Sequence, residues 1–302
     1  MTFRARPRPR SRSRARRLAV TSLAGLVAAL SLTVPATATA TATEQVDYVA
    51  LGDSYSAGSG VLPLDPAASL LCARSILNYP HVIAGRTGAS LKDVTCGGAQ
   101  TKDFTESQYP GVGPQLDALG TGTDVVTLTI GGNDNNTFIN AILACGSAGV
   151  VTLGFGSPCE DLYGSTFTDQ ITGTTLPRLT ESLRAIRAKA PNAEVAILGY
   201  PWIVPAAFDW TCYAKMPIAR GDIPYLRDLQ ATLNAAVKQA AAATGATFVD
   251  MAAASEGHDA CKAIGTRWIE PVLFGTNIVP VHPNAAGEAA MATQAMSVLN
   301  RV

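Results

Sequence analysis

The chain has 302 residues, with 23 basic and 23 acidic side chains, and eight of the arginines fall within residues 1–17, which hold no acid. The rest of the sequence therefore carries 15 basic against 23 acidic groups, a net charge near −8. Such a charge makes nucleic acid and anionic membrane surfaces poor partners, and the remaining length suffices for one sizeable core.

The Arg-rich start is followed by an apolar stretch over about residues 18–34 and by small residues over 36–42. A basic region, an apolar region and a small-residue zone, in that order, are the marks of a secretory signal. The apolar stretch is short and broken by Thr21, Ser22 and Ser31, which disfavours a stable membrane anchor. No cysteine directly follows it to carry a lipid. The expected organisation is a signal over 1–42, with approximate cleavage, and a single domain over 43–302. The expected location is secreted and extracellular.

The first strand candidate is 46–51. It runs into Gly52-Asp53-Ser54-Tyr55-Ser56-Ala57-Gly58. A serine on a tight, Gly-flanked turn after a strand is held where a substrate reaches it, and the turn's N–H groups can face a developing oxyanion. The same triplet is also ordinary turn composition. A short helix over 79–87 and a strand over 91–96 follow, and the strand leads into Gly97-Gly98-Ala99. The Gly98 N–H can approach a ligand without a side chain in the way.

The strand candidate over 124–130 contains the continuous apolar run 125–130, as a buried parallel strand does. It ends in Gly131-Gly132-Asn133-Asp134, where two glycines permit either a tight turn or close approach to a ligand. The Asn133 amide can donate to an oxyanion. Helix candidates follow at 136–145, 168–189, 224–244 and 284–299, with strands at 194–198 and 247–250. Pro224 suits a first helical turn, Gly245 a helix stop, and Asn284 a helix cap. Alternating strands and helices imply an α/β fold, a mostly parallel sheet with helices on both faces. Ser54, Gly98 and Asn133 each follow a strand, at the rim where such folds bind ligands. Segments 202–210 and 61–64 are candidates for an apolar pocket, and packing under loops explains them equally.

A serine hydroxyl needs a base to take its proton. Three histidines are available: His81 at a helix start, His258 in a polar loop, and His282 just before Pro283-Asn284. His282 is the candidate base.

Together these blocks resemble the SGNH hydrolase superfamily, also called the GDSL esterases and lipases. Its four marks fall in order on Ser54, Gly98, Asn133 and His282. The resemblance spans about 46–299 and is nearest to the secreted lipases and esterases of Streptomyces-type actinobacteria. It implies a flavodoxin-like, three-layer α/β/α sandwich with a five-stranded parallel sheet. It further implies Ser54 and His282 as catalytic residues and an oxyanion hole of Ser54, Gly98 and Asn133. One departure stands out. The family's final block is Asp-x-x-His, and the Asp position here is Val279. A main-chain carbonyl, from Val279 or Pro280, is the expected substitute for orienting the imidazole. Asp250, Asp259, Glu270 and Glu288 are the C-terminal acids that would otherwise serve.

Cys72, Cys96, Cys145, Cys159, Cys212 and Cys261 form an even set without a C-x-x-C or a Cys/His cluster. In an exported chain that argues for disulfides and against a metal site. Fifteen pairings are open in principle. The expected one is sequential, Cys72–Cys96, Cys145–Cys159 and Cys212–Cys261, since each closes a local loop, and the resemblance points the same way.

The expected activity is a carboxylic ester hydrolase, a lipase or esterase acting through an acyl-enzyme. The alternatives are a phospholipase A-type enzyme or a polysaccharide deacetylase with the same mechanism, and an exported binding protein without catalysis. A nucleophile, a base and two oxyanion donors together weigh against the last. No cofactor is expected. The expected partner is a lipid or other ester substrate, with no nucleic acid, and the chain is expected to be a monomer.

Overall fold

Residues 45–302 are described by a computed structural model, and the signal expected over 1–42 lies outside them. Five strands form one parallel sheet: β1 (Asp47–Ala50), β2 (Ser90–Asp93), β3 (Val125–Leu128), β4 (Glu194–Leu198) and β5 (Thr247–Val249), in the order β2-β1-β3-β4-β5. The helices are α1 (Ser54–Ala57), α2 (Tyr79–Thr87), α3 (Thr137–Val151), α4 (Pro158–Tyr163), α5 (Thr166–Gln170), α6 (Leu176–Lys189), α7 (Trp210–Tyr213), α8 (Asp222–Thr244), α9 (Met251–Ala254) and α10 (Ala285–Met296).

Composition explains the strand positions. β3 is buried throughout and β1 from its second residue onward, so both read as continuous apolar runs. β2 is Ser-Leu-Lys-Asp, half-exposed, which suits an edge strand. The pairs α2–α10 and α6–α8 pack together and cover the two faces of the sheet, completing the three-layer sandwich. The order reverses between β1 and β3. In a doubly wound sheet that is the point where a crevice opens at the carboxyl ends of the strands.

Several boundaries differ from the sequence reading by one to three residues, and three further differences have a physical reason. β2 begins at Ser90 and ends at Asp93, ahead of the expected 91–96. The chain beyond it still bonds to the segment after β1, through Val94 N–H to Ala50 O and Cys96 N–H to Gly52 O, both 3.0 Å. α3 runs six residues past the expected 145. Its glycines do not stop it, because Gly149 is where the chain at Pro217–Ala219 packs directly on the helix backbone. The helix expected over 168–189 contains a π-helical turn, Ile171–Thr175, between α5 and α6. The extra residue of such a turn shifts the helix face. Thr175 and Leu179 then pack against Gly131.

The disulfides are Cys72–Cys96, Cys145–Cys159 and Cys212–Cys261. The first ties the segment after α1 to the chain just before Gly97-Gly98. The second joins α3 to α4.

The turn after β1 depends on glycine. Gly52 has φ of +122°, and a Cβ there would sit 2.4 Å from Thr129 O. Left-handed strain and a backbone clash coincide at this position. Gly52→Ala should therefore lower unfolding free energy by at least about 1–3 kcal/mol, read from the denaturant midpoint, whereas Gly88→Ala, which meets nothing within 4 Å, should cost less.

Candidate active site

Asp53 and Ser54 leave β1 at the sheet's switch point. Asp53 caps α1 by accepting the Tyr55 N–H at 3.0 Å. The same carboxylate accepts the Thr129 hydroxyl at 2.7 Å and the Tyr200 hydroxyl at 2.5 Å, and the Asp53 N–H bonds to Thr129 O at 2.9 Å. Residues following β1, β3 and β4 thus meet at one carboxylate. Burial pushes the Asp53 carboxyl up to about 6, against the opposing hydrogen bonds from Tyr200 and Thr129. Burial, and after it the charge of Asp53, raises the Tyr200 phenol well above its ordinary range, so it remains a donor.

His282 Nε2 lies 2.7 Å from Ser54 Oγ, and His282 Nδ1 lies 2.8 Å from Pro280 O. A carbonyl only accepts, so the proton sits on Nδ1 and Nε2 is free to accept from the serine. Of the two carbonyls left open by the sequence, Pro280 is the one in contact. Burial lowers the imidazole pKa, and the bond to the Pro280 carbonyl offsets part of that.

None of the four C-terminal acids has its carboxylate bonded to the His282 imidazole, whose nitrogens meet Pro280 O and Ser54 Oγ. Asp250 caps α9, Asp259 accepts the Cys261 N–H at 3.0 Å, and Glu288 accepts the Tyr79 N–H at 2.7 Å. Glu270 has the larger structural part. It pairs with buried Arg267 at 2.6 Å and accepts from Thr276 N–H at 2.7 Å and Asn284 Nδ2 at 2.9 Å. Backbone bonds of 2.9 Å, Glu270 N–H to His282 O and Val281 N–H to Glu270 O, continue the clamp. Val281 is held at φ of +54°, and its carbonyl accepts the Tyr55 hydroxyl at 2.7 Å. Tyr55, next to Ser54, therefore braces Val281, next to His282.

Gly98 has φ of +76°, and the preceding Gly97 carbonyl accepts from Gln108 Nε2 at 2.8 Å. The Asn133 amide donates to Ala99 O at 3.1 Å, which leaves its second N–H for another acceptor. Asp134 accepts from Thr101 N–H and Oγ1 at 2.9 and 2.7 Å, joining the Gly98 and Asn133 turns. Ser54, Gly98, Asn133 and His282 line one cleft of about 420 Å³. Its other walls are mainly apolar, including Leu71, Phe138, Ile139, Ile142 and Ile203.

Sequence reasoning missed Tyr200 and the inner face of α3. Tyr200 carries the same signal as Ser54, since it follows a strand (β4) on the same rim, but a lone aromatic there has no motif around it. Of segment 202–210, Ile203 reaches the cleft, while Trp202 stacks under Arg227 at 3.9 Å. Segment 61–64 does not line it; Val61 is buried and Leu62 faces outward. His258 stacks on Trp268 at 4.1 Å, and His81 bonds to Asn78 at the start of α2.

The model of the GDSL-like Lipase/Acylhydrolase family matches residues 50–290. The chain belongs to that family. It is 67% identical over 254 residues to Lipase 2 of Streptomyces coelicolor, covering 84% of this chain and 86% of that protein. Its structure is similar to that of phospholipase A1 from Streptomyces albidoflavus, with a TM-score of 0.70 and 30% identity over 84% of this chain and 100% of the other. The extracellular lipase of Streptomyces rimosus is similar too, with a TM-score of 0.68 and 29% identity over 84% and 100%. The protein is an ester hydrolase, and the sandwich expected from the sequence is the fold it shares with these enzymes.

The Glu270 clamp separates a structural acid from one that orients the base. Glu270→Gln leaves buried Arg267 without a counter-charge and should cost about 3–5 kcal/mol of stability, measured by denaturant unfolding. An acid acting directly on the imidazole would give normal stability and a kcat loss of about 10⁴.

Proposed function

We propose that the protein hydrolyses carboxylic esters of lipids through an acyl-enzyme on Ser54. The observation that carries this reading is the 2.7 Å contact of Ser54 Oγ with His282 Nε2, with Nδ1 held by the Pro280 carbonyl. Ser54 Oγ attacks the ester carbonyl carbon while its proton passes to Nε2. The carbonyl oxygen becomes an oxyanion facing the N–H groups of Ser54 and Gly98 and the free amide N–H of Asn133. Collapse of the tetrahedral adduct breaks the bond to the alcohol, which leaves with the proton from Nε2. Water then repeats the sequence on the acyl-enzyme, releasing the acid and restoring Ser54. A carbonyl fixes the tautomer without supplying a full negative charge, so the base works as a dyad with Ser54.

The apolar cleft walls support an acyl chain as the part of the substrate that is bound, and they weigh against a polysaccharide. Likeness to a phospholipase A1 supports phospholipids as a second substrate class for the same site. The N-terminal pattern, the disulfides and the description of the Streptomyces rimosus lipase as extracellular support export, with residues 43–302 as a single catalytic domain.

The decisive experiment is pre-steady-state hydrolysis of p-nitrophenyl butyrate. A burst of p-nitrophenol should accompany acylation and vanish in Ser54→Ala. Ser54→Ala and His282→Ala should each lower kcat by about 10⁴ or more, with the double variant little worse than either. Asn133→Ala should cost about 10²–10³ in kcat with a much smaller change in KM. Near-wild-type turnover in His282→Ala would refute the base assignment.

The pH profile gives a separate check. A protonated imidazole cannot accept the Ser54 proton, so activity is lost as pH falls through the His282 pKa. Burial holds that pKa below 6.5, and kcat/KM should therefore stay high down to pH 6.5 and fall beneath it. Asp53, at about 6, titrates nearby, so the limb should be measured in Asp53→Asn as well. A limb that disappears there belongs to Asp53.

A further inference from the structure

The 25 residues from 135 to 159 contain no charged side chain, and α3 lies within them. Its inner face carries Ile142, Cys145 and Gly149, all buried. Its outer face carries Ile139, Leu143, Val150 and Val151, all exposed, Leu143 to 60% and Val151 to 82%. Asn140 and Ser147 share this outer face, but its four exposed aliphatic side chains are far more apolar surface than a solvent-facing helix ordinarily shows, and such a face suits an apolar surround. Here one side has that surround in the core and the other side has none among the described residues.

Two further observations say what covers the outer side. The stripe is continuous with the proposed catalytic cleft, because Ile139 lines the cleft together with Phe138 and Ile142 on the same helix. At its far end the chain turns into an exposed aromatic group. Phe155 is 63% and Trp210 51% exposed, with ring centroids 5.4 Å apart, and Phe208 and Tyr213 pack around Trp210 at 4.8 and 5.8 Å. Exposed aromatic residues beside an aliphatic face match the boundary between lipid tails and headgroups. The stripe has no Lys or Arg to attract anionic headgroups, and the sequence beyond residue 17 is net acidic. No helix among the described residues is long and apolar enough to cross a membrane, so contact is with a surface.

We propose that the outer face of α3, with Phe155 and Trp210, docks the protein on the surface of an uncharged or zwitterionic lipid aggregate. Docking there sets the cleft mouth against the aggregate, so an acyl chain can pass into the cleft without crossing water. The Cys145–Cys159 disulfide joins α3 to α4 and makes the surface preformed. This proposal rests on the reading of lipid esters as substrate, but its test does not depend on catalysis.

Ser54→Ala protein is sedimented with phosphatidylcholine vesicles, with and without Leu143→Asp and Val151→Asp. The parent should co-sediment, and the two added charges should reduce partitioning by at least about tenfold. In the active background the same pair of changes should leave kcat/KM on monomeric p-nitrophenyl acetate unaltered, since neither residue lines the cleft. A second measurement needs no change in α3. Tryptophan emission of the Ser54→Ala protein should be quenched by vesicles brominated on the acyl chain, and Trp210→Phe should remove most of that quenching. Equal binding by parent and charged variant, no binding by the parent, or no quenching overturns the proposal. So does a parent dimer in sedimentation velocity that the two charges dissolve, since a second copy would then be the occupant. Full turnover by Ser54→Ala would instead overturn the catalytic reading and leave the vesicle result standing.

Discussion

The Asp53 carboxylate is the joint on which the site hangs. It sits inside the protein and accepts from a backbone N–H in α1, a hydroxyl at the end of β3 and a phenol just after β4. Tyr200 then passes the constraint onward, because its oxygen also accepts the Gly132 N–H at 2.9 Å. The turn carrying Ser54 and the turn carrying Asn133 are in this way referenced to the same charge. Burying a carboxylate is costly unless its lone pairs are filled. Three donors fill them, and burial still pushes its pKa up to about 6 against them.

The histidine reaches this joint from the opposite end of the chain by a different device. Its loop carries Val279 where the resemblance implied an acid, and the imidazole is bonded to the carbonyl two residues earlier. A carbonyl is effective only if the loop bearing it is rigid. Rigidity here comes from the buried Arg267–Glu270 pair, the Asn284 cap that is also bonded to Glu270, and the Tyr55 hydroxyl on the Val281 carbonyl. The charge an aspartate would bring to the imidazole is replaced by fixed geometry around it. Burial lowers the His282 pKa, and the bond to the neutral carbonyl offsets only part of that.

The cleft and the outer surface share a helix. α3 shows Phe138 and Ile142 to the cleft and Leu143 and Val151 to solvent, with Ile139 at the border between them. An uncharged helix of this kind is unfavourable on an ordinary protein surface, and the docking proposed above would give its outer face the same apolar surround that the cleft offers an acyl chain.

The four candidate blocks were legible in the sequence because each is local. Ser54 and Asn133 follow apolar runs that read as buried strands, Gly98 follows the edge strand β2, and glycines beside them mark close approach. The absence of an acid at Val279 was legible for the same reason. The choice of Pro280 over Val279 was not, since it depends on the direction of a carbonyl in a loop whose shape is set by Glu270 and Tyr55 from elsewhere. Tyr200 was hidden because a single aromatic after a strand reads as core until its hydroxyl is seen to meet Asp53. The outward stripe of α3 was hidden as well, because an apolar helix in sequence reads as buried on every side. Sequence by itself determined which groups stand at strand ends, since that follows from hydrophobic periodicity along the chain. The tertiary structure decided which of them meet, because hydrogen-bond partners and solvent exposure are set by how separate segments converge.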